Sequence, residues 1–158
     1  MPKIIVVYFS KTGNTKKMAE LVAQGAQGQK GEVVVKPVQE MTSQELLSYD
    51  GIIIGSPTYY GSMAWEIKRL LDESVAFHGD LYGKVGGAFS SAANIGGGNE
   101  TVILDILNGM LIHGMIIQGT HKGDHYGPVS IGKPDARVER QCKALGQRVA
   151  ELVCKICD

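Results

Sequence analysis

Five short apolar runs alternate with helical patterns along this 158-residue chain, and that alternation limits the possible folds more than any other feature. The runs are continuous and rich in Val and Ile, which is typical of parallel strands covered on both faces. We place them at residues 4–9, 32–35, 51–55, 85–90 and 115–119. Strands that alternate with helices predict an α/β fold, an open parallel sheet with right-handed crossovers and helices on both faces.

Apolar residues at helical spacing predict the elements between the strands. These patterns run from Met18 to Gly25, from Trp65 to Leu71, from Val102 to Leu111 and from Val138 to Ile156. After the second strand, Thr42-x-x-Glu45 is a capping box and predicts a further helix through Leu46. Pro134 and Asp135 would start the last helix. We therefore expect one domain over residues 1–158, with residues 120–133 as its one long loop, a kind of segment that is often functional.

Composition excludes several classes of protein. Lys plus Arg equals Asp plus Glu at 16 each, so nothing indicates a nucleic-acid or membrane surface. No apolar run is long enough to span a bilayer and no signal-peptide pattern opens the chain, which leaves the cytoplasm as the expected compartment. Cys154 and Cys157 form a C-x-x-C, but at the end of a predicted helix, where two ordinary helical cysteines one turn apart are the simpler interpretation.

The turns after the first, third and fourth strands are the unusual loops of this sequence. They read SKTGNT at residues 10–15, SPTYYGS at 56–62 and SSAANIGGGN at 90–99. Ligands of open parallel sheets bind at the carboxyl ends of the strands, where strand order reverses. We therefore expect these three loops to lie together and to form the site.

The first loop has the chemistry of a phosphate site. Ser10, Thr12 and Thr15 offer hydroxyl donors, Gly13 allows the backbone to turn, and a helix N-terminus follows. The chain contains no G-K-[S/T], and Gly13 stands without the other glycines of G-x-G-x-x-G, which argues against nucleoside triphosphatases and dinucleotide-binding folds. An ordinary N-cap would explain one hydroxyl but not three.

The other two loops suit a flat ring. Tyr59 and Tyr60 form an aromatic pair that could stack on a heterocycle, although we expect one of the two rings to pack inward. The third loop is almost bare of side chains and ends in three glycines, which favours close approach of a ligand to the backbone; a flexible surface turn is the alternative. A phosphate pocket beside an aromatic platform and an amide-lined wall describes flavin mononucleotide (FMN).

These stretches resemble the flavodoxin superfamily over essentially the whole chain. Within it, GSPTYYGSM, LYGKVGGAFSSAANIGGGNET and LIHGMIIQG are similar to flavodoxin-like NAD(P)H:quinone oxidoreductases of the tryptophan-repressor-binding-protein type. The resemblance implies a three-layer flavodoxin-like fold whose five parallel strands stand in the order 2-1-3-4-5. Members are usually longer, and this chain lacks an insertion near residues 119–124 that helps to build tetramer contacts.

The resemblance also implies which residues hold FMN. The phosphate would be held by Ser10, Lys11, Thr12, Gly13, Asn14 and Thr15. The ring and the ribityl chain would be flanked by Pro57, Thr58, Tyr59, Tyr60 and Gly61. The polar edge of the ring would lie along Ser91, Ala92, Ala93, Asn94, Gly96 and Gly97. His113 and Tyr126 would lie near the flavin, His113 by way of a neighbouring subunit if the chain assembles, and Phe77 would wall the substrate position.

Some of these residues have a simpler structural interpretation. His113 could equally be a residue that favours the negative end of a helix. His121 and His125 stand four apart in a loop, but without zinc-ligand spacing we treat them as solvated and expect no metal.

Two functions of different classes are consistent with these patterns. The first is an FMN-dependent oxidoreductase in which NAD(P)H reduces a quinone-like acceptor by two electrons, with the flavin carrying the chemistry and no catalytic side chain named. The second is a flavodoxin proper, which passes single electrons between redox protein partners. A receiver-type signalling domain requires acidic residues after the first strand, and residues 8–15 contain none. Either protein could assemble into a homo-oligomer, a dimer or a tetramer.

Overall fold

The structure, a computed structural model, describes residues 1–29 and 31–157. Within these residues, a seven-stranded sheet forms the middle layer. Its strands are β1 (Lys3–Tyr8), β2 (Glu32–Pro37), β3 (Gly51–Tyr59), β4 (Ser62–Met63), β5 (Val85–Ala92), β6 (Ile116–Ile117) and β7 (Val129–Ile131). The main path runs β2-β1-β3-β5-β6 and all of its pairs are parallel. This is the predicted strand order, because β4 is only a short antiparallel partner of β3.

Helices cover both faces of this sheet, as predicted. They are α1 (Asn14–Ala26), α2 (Trp65–Glu73), α3 (Asn99–Ile112) and α4 (Ala136–Cys157), with 3₁₀ turns at Val38–Glu40, Ser43–Ser48 and Ser74–Phe77. Within the described part of the chain, no helix combines the length and the apolar character needed to cross a bilayer. The fourth helix starts where predicted: the Val138 amide donates to Asp135 Oδ1 at 2.8 Å, and this bond lowers the pKa of the Asp135 carboxyl.

The sheet separates two apolar cores, and β1 contributes to both. Ile5 and Val7 are buried on the face covered by α2 and α3, whereas Ile4 and Val6 are buried on the face covered by α1 and α4. Successive side chains of a strand point to opposite faces, so a strand buried on both must be apolar at every position. That requirement explains the continuous Val and Ile runs.

The fifth position of the sheet differs from the prediction. A single strand was expected over residues 115–119, followed by a structureless loop. Instead β6 pairs with the start of β5 at Val85 and Gly86, and β7 pairs with its end from Ser90 to Ala92. Residues 118–128 lie between the two short strands. The predicted long loop therefore contains a strand that completes the edge of the sheet beside the site.

The predicted capping box is present, but the helix it introduces is short. The Thr42 amide donates to Glu45 Oε1 at 2.9 Å, and Lys36 Nζ contacts Glu45 Oε2 at 2.6 Å. The element is a six-residue 3₁₀ turn, Ser43–Ser48, rather than an α-helix. Only Leu46 of this turn is buried against the core, too narrow an apolar stripe to support a longer helix.

Helices α1 and α4 cross at very short range. A Cβ at Gly146 would lie inside van der Waals distance of the Val22 carbonyl oxygen and 2.8 Å from the Ala26 amide nitrogen. A Cβ at Gly25 would likewise collide with the Lys143 carbonyl oxygen. Both obstacles are backbone atoms, which cannot rotate away as a side chain can.

We therefore expect Gly146→Ala to destabilise the protein. Alanine in a helix interior normally gains about 1 kcal/mol over glycine, whereas forcing atoms into a packed contact costs roughly 1–3 kcal/mol or more. Urea denaturation should show a net loss in the free energy of unfolding. Gly28→Ala is the matched control, since the nearest atom to its added Cβ is 3.7 Å away. An unchanged or higher stability of Gly146→Ala would contradict the close crossing.

Candidate functional site

A cleft of about 470 Å³ opens at the carboxyl edge of the sheet, between the three loops singled out by the sequence. Ten of the predicted residues line it: Lys11, Thr12, Asn14, Thr15, Pro57, Thr58, Tyr59, Ser91, Ala92 and Ala93. The lining contains no acidic side chain and has Lys11 at its rim. The predicted meeting of the three loops is therefore what the structure shows.

Gly132 also lines the cleft and was not predicted. It follows β7, and its amide donates to the Ala92 carbonyl at 2.8 Å. This wall exists because β7 fills the carboxyl half of the fifth sheet position. In the sequence, only the alternating run Val129-Ser130-Ile131 indicated this strand, and three residues are too few to distinguish a strand from a loop.

The first loop presents an uncapped helix N-terminus to the cleft. Gly13, the N-cap of α1, has a φ of 100°, and no side chain caps the helix. No acidic residue lies in the first turn. The Gly13 amide donates to Ser10 Oγ at 3.1 Å, which closes the turn on itself. The first amides of α1 lack intrahelical partners, so this end of the helix favours an anion.

Two pairs of hydroxyl groups join the walls of the cleft. Thr15 Oγ1 lies 2.9 Å from Ser91 Oγ, and both side chains are buried, which ties the start of α1 to β5. Thr58 Oγ1 lies 3.2 Å from Ser90 Oγ and ties β3 to the same strand. The Thr15 hydroxyl therefore has a structural partner as well as a place in the cleft.

The second loop is a two-residue β-hairpin. Tyr60 and Gly61 connect β3 to β4 with φ of 49° and 76°, both positive, as tight hairpins require. Tyr60 is fully exposed at the tip, while Tyr59 lines the cleft and packs its ring edge-on against Phe9. Burial, and then the Glu66 carboxylate, raise the pKa of Tyr59, so its phenol stays neutral. One ring of the pair was expected to pack inward; Tyr59 is the more enclosed of the two, but its side chain is still 40% exposed.

The third loop packs on the second. A Cβ at Gly98, whose φ is 111°, would lie 2.7 Å from the Gly61 Cα. Thr101 Oγ1 lies 2.6 Å from the Gly61 carbonyl oxygen and 2.5 Å from that of Gly98. Close backbone approach was predicted for these glycines toward a ligand, and the structure shows it between two loops. The remaining predicted residues stand beside the cleft rather than in its lining: Ser10, Gly13, Tyr60, Gly61, Asn94, Gly96 and Gly97.

Three predicted residues lie away from the cleft of this chain. His113 is buried at the end of α3, where its Nε2 lies 2.7 Å from Ser74 Oγ. Phe77 is buried in the core and stacks on the His113 ring, with centroids 6.3 Å apart. Tyr126 lines a separate hollow beside Glu100. Helix α3 runs back from the carboxyl edge of the sheet, so His113 at its end lies near the opposite edge, beside Phe77.

The buried position of His113 has a consequence for stability. Burial, and then nearby His78, lower the pKa of the His113 imidazole below its ordinary value near 6.5. The unfolded chain therefore takes up a proton at a higher pH than the folded protein does. The stability that depends on neutral His113 is complete above about pH 6.5 and is lost as the pH falls toward the lower folded-state pKa.

We expect His113→Gln to reduce this acid sensitivity. The free energy of unfolding, measured by urea denaturation at about pH 7.5 and about pH 5.5, should fall less for the variant than for the unchanged protein. His121→Gln, at an exposed loop position, is the control and should retain the full loss. Equal losses in all three proteins would mean that His113 does not titrate differently on unfolding.

Comparison with known proteins agrees with this geometry. Residues 5–93 match the family described as the Flavodoxin domain. A flavodoxin of Aquifex aeolicus (strain VF5) is 42% identical over 170 residues, covering 100% of this chain and 90% of that protein. A protein of Archaeoglobus fulgidus named NAD(P)H dehydrogenase (quinone) is 35% identical over 191 residues, covering 99% and 100%.

The solved structures include a flavodoxin, WrbA-like protein from Agrobacterium tumefaciens. It has a TM-score of 0.83 at 25% identity and covers 98% of this chain and 99% of its own. The relatives thus include proteins named Flavodoxin and proteins named NAD(P)H dehydrogenase (quinone), both matched over nearly their whole length. The chain belongs to the flavodoxin family, a membership that implies FMN as its cofactor.

Proposed function

We propose that the cleft binds FMN with its phosphate at the N-terminus of α1, and that the protein is an NAD(P)H-dependent reductase of quinone-like acceptors in the cytoplasm. The observation that carries the cofactor assignment is the uncapped first turn of α1, open to a cleft without acidic side chains. A phosphate dianion supplies the acceptors that these amides lack. The residues present therefore fit the cofactor.

The roles of the residues follow from their positions. The amides of the first turn of α1 and the Thr12 hydroxyl would donate to the phosphate, and Lys11 would add a positive charge at the rim. Tyr59, held by Phe9 and neutral, would flank the ring. Ser91, Ala92 and Ala93 would leave room for the ring against the end of β5. Bound FMN supplies the transfer of one or two electrons, which no side chain of the cleft can provide.

A reductase needs a face of the cofactor open to a second molecule. The third loop carries no aromatic residue, and its tip residue Ile95 projects into solvent instead of over the cleft lining. The 35% identity with the Archaeoglobus fulgidus protein named NAD(P)H dehydrogenase (quinone), over nearly the whole of both chains, also supports the reductase.

The carrier function has its own supporting observation. Tyr60 and Ile95 are exposed at the tips of two loops beside the cleft, where a protein partner would contact them. A single-electron carrier is therefore the second candidate, and only a kinetic experiment separates the two.

Thr12→Ala should weaken binding of FMN but not of riboflavin, which lacks the phosphate. A hydrogen bond to a charged group contributes about 1.5–3 kcal/mol, so we expect the FMN dissociation constant to rise by roughly tenfold or more. Thr12 is preferable to Thr15 because its hydroxyl is exposed, whereas Thr15 also bonds to Ser91. Fluorescence titration of both flavins measures the effect.

Thr120→Ala provides the matched control for this titration, since Thr120 lies outside the cleft lining. It should leave both dissociation constants unchanged. If Thr12→Ala weakened the binding of FMN and of riboflavin equally, Thr12 would lie away from the phosphate. If it changed neither dissociation constant, Thr12 would not belong to the binding site.

Anaerobic mixing of the FMN-loaded protein with NADH or NADPH tests the reductase. We expect rapid loss of the oxidised-flavin absorbance, and its return when 1,4-benzoquinone is added. Tyr82→Ala, an exposed tyrosine outside the cleft lining, serves as a control that should react normally. Reduction by dithionite but by neither nucleotide, followed by electron transfer to cytochrome c, would instead support the carrier.

A further inference from the structure

The C-x-x-C at the end of α4 is a motif that the cleft does not use. Cys154 and Cys157 lie in the last turn of the helix, and neither of them lines the cleft. Both are present as thiols, with Cys154 half-buried and Cys157 exposed. The sequence alone favoured two ordinary helical cysteines. The structure adds their relative position and their accessibility, and these decide what chemistry the pair can perform.

The spacing of the two thiols suits a bridging ion better than a disulfide. Residues three apart on an α-helix lie on one face, with Cβ atoms about 5–6 Å apart. A disulfide requires about 3.5–4.5 Å between these atoms, so Cys154 and Cys157 cannot form one unless the last turn unwinds. Two metal–thiolate bonds of about 2.3 Å allow the sulfur atoms to lie up to about 4.6 Å apart. A metal ion therefore spans the gap without a change in the helix.

The neighbouring residues limit the coordination number to two. Within residues 1–29 and 31–157, no three His, Cys, Asp or Glu side chains are grouped so that they could hold a metal ion. Cys142 is buried one-half of the helix away, about 18 Å along its axis. Burial raises the pKa of the Cys142 thiol to about 12, so this thiol stays protonated. A structural zinc site or an iron–sulfur cluster takes four ligands, which the pair cannot supply.

A soft monovalent cation is the ion that two thiolates satisfy. Thiolates select Cu(I), zinc and iron–sulfur clusters, and among these Cu(I) is the ion that is stable with two ligands in line. Binding of one Cu(I) by two thiols forms two Cu–S bonds and releases two protons. The complex carries one net negative charge, and Lys155 places a positive charge in the same turn. Copper stays monovalent, so the step needs no oxidant or reductant.

We propose that Cys154 and Cys157 form a two-coordinate site for Cu(I) at the end of α4, with one ion held by one chain. Cys154 is the ligand that packing holds in place, and Cys157 is the ligand that solvent reaches first. The site goes beyond the proposed reductase function and does not depend on it, because neither thiol lines the cleft.

Competition with a chelator measures this site in the FMN-loaded protein. Bicinchoninate is a suitable competitor, because its Cu(I) complex absorbs at a longer wavelength than flavin does. The thiols are reduced beforehand, the reductant is removed, and Cu(I) is added anaerobically as its acetonitrile complex. We expect one Cu(I) per chain and two protons released per ion. Copper K-edge absorption should show two sulfur neighbours.

Variants test whether both thiols and their spacing are required. Cys154→Ser and Cys157→Ser should each weaken Cu(I) binding by roughly a hundredfold or more, since each removes one of two bonds. Ile156→Cys combined with Cys157→Ile keeps two thiols in the last turn but sets them two residues apart, on different faces of the helix. This exchange should weaken binding as much as the loss of a thiol does. Cys142→Ala, at the buried cysteine, is the control and should bind Cu(I) normally.

Three results would overturn the proposal. Unchanged affinity after Cys154→Ser or Cys157→Ser would show that a single thiol or another group holds the ion. A stoichiometry of one Cu(I) per two chains would show that two copies share it. Equal affinity of the unchanged protein and the Ile156–Cys157 exchange would show that the helical spacing has no role. Circular dichroism shows that each variant is folded, and the exchange tests the proposal without any change to the core.

Discussion

The burial of the central strands on both faces is the constraint on which the rest of the structure depends. Because α1 and α4 cover one face and α2 and α3 the other, β1, β3 and β5 must be apolar throughout and leave polar chemistry to their ends. Parallel strands then bring the ends that follow β1, β3 and β5 to one edge. The cleft is the direct result, since its walls are the residues at which these three strands stop.

The sequence was sufficient for this part of the molecule because both signals are local. Continuous Val and Ile runs mark doubly covered strands, and the residues after them, such as Thr12, Tyr59 and Ser91, could be assigned to one site by topology. The same reasoning failed for β6 and β7. These strands have only two and three residues, which is too few to show a hydrophobic period. Their place in the sheet depends on long-range pairing with β5.

Sequence similarity was a weaker guide to residues outside the three loops. The resemblance assigned His113 to the flavin, by way of a neighbouring subunit, and Phe77 to the substrate position; within this chain both lie away from the cleft, where the His113 ring stacks on Phe77. The resemblance did identify the family. It did not decide between the two proposed functions, because relatives named Flavodoxin and relatives named NAD(P)H dehydrogenase (quinone) both match this chain almost completely. The difference between a carrier and a reductase depends on which molecule contacts the cofactor. The exposed loop tips would govern that contact, whereas the core is shared by both kinds of protein.

The crossing of α1 and α4 at Gly25 and Gly146 has a consequence for the opposite end of α1. Backbone pressed against backbone prevents the helix from sliding along or rotating about its axis, and the Thr15–Ser91 contact secures its first turn. The amides that face the cleft are therefore immobilised during folding, before any anion arrives. Association with an anion at this end would then require little further loss of chain entropy, and affinity would respond to changes at Gly25, more than two helical turns from the first amides of α1.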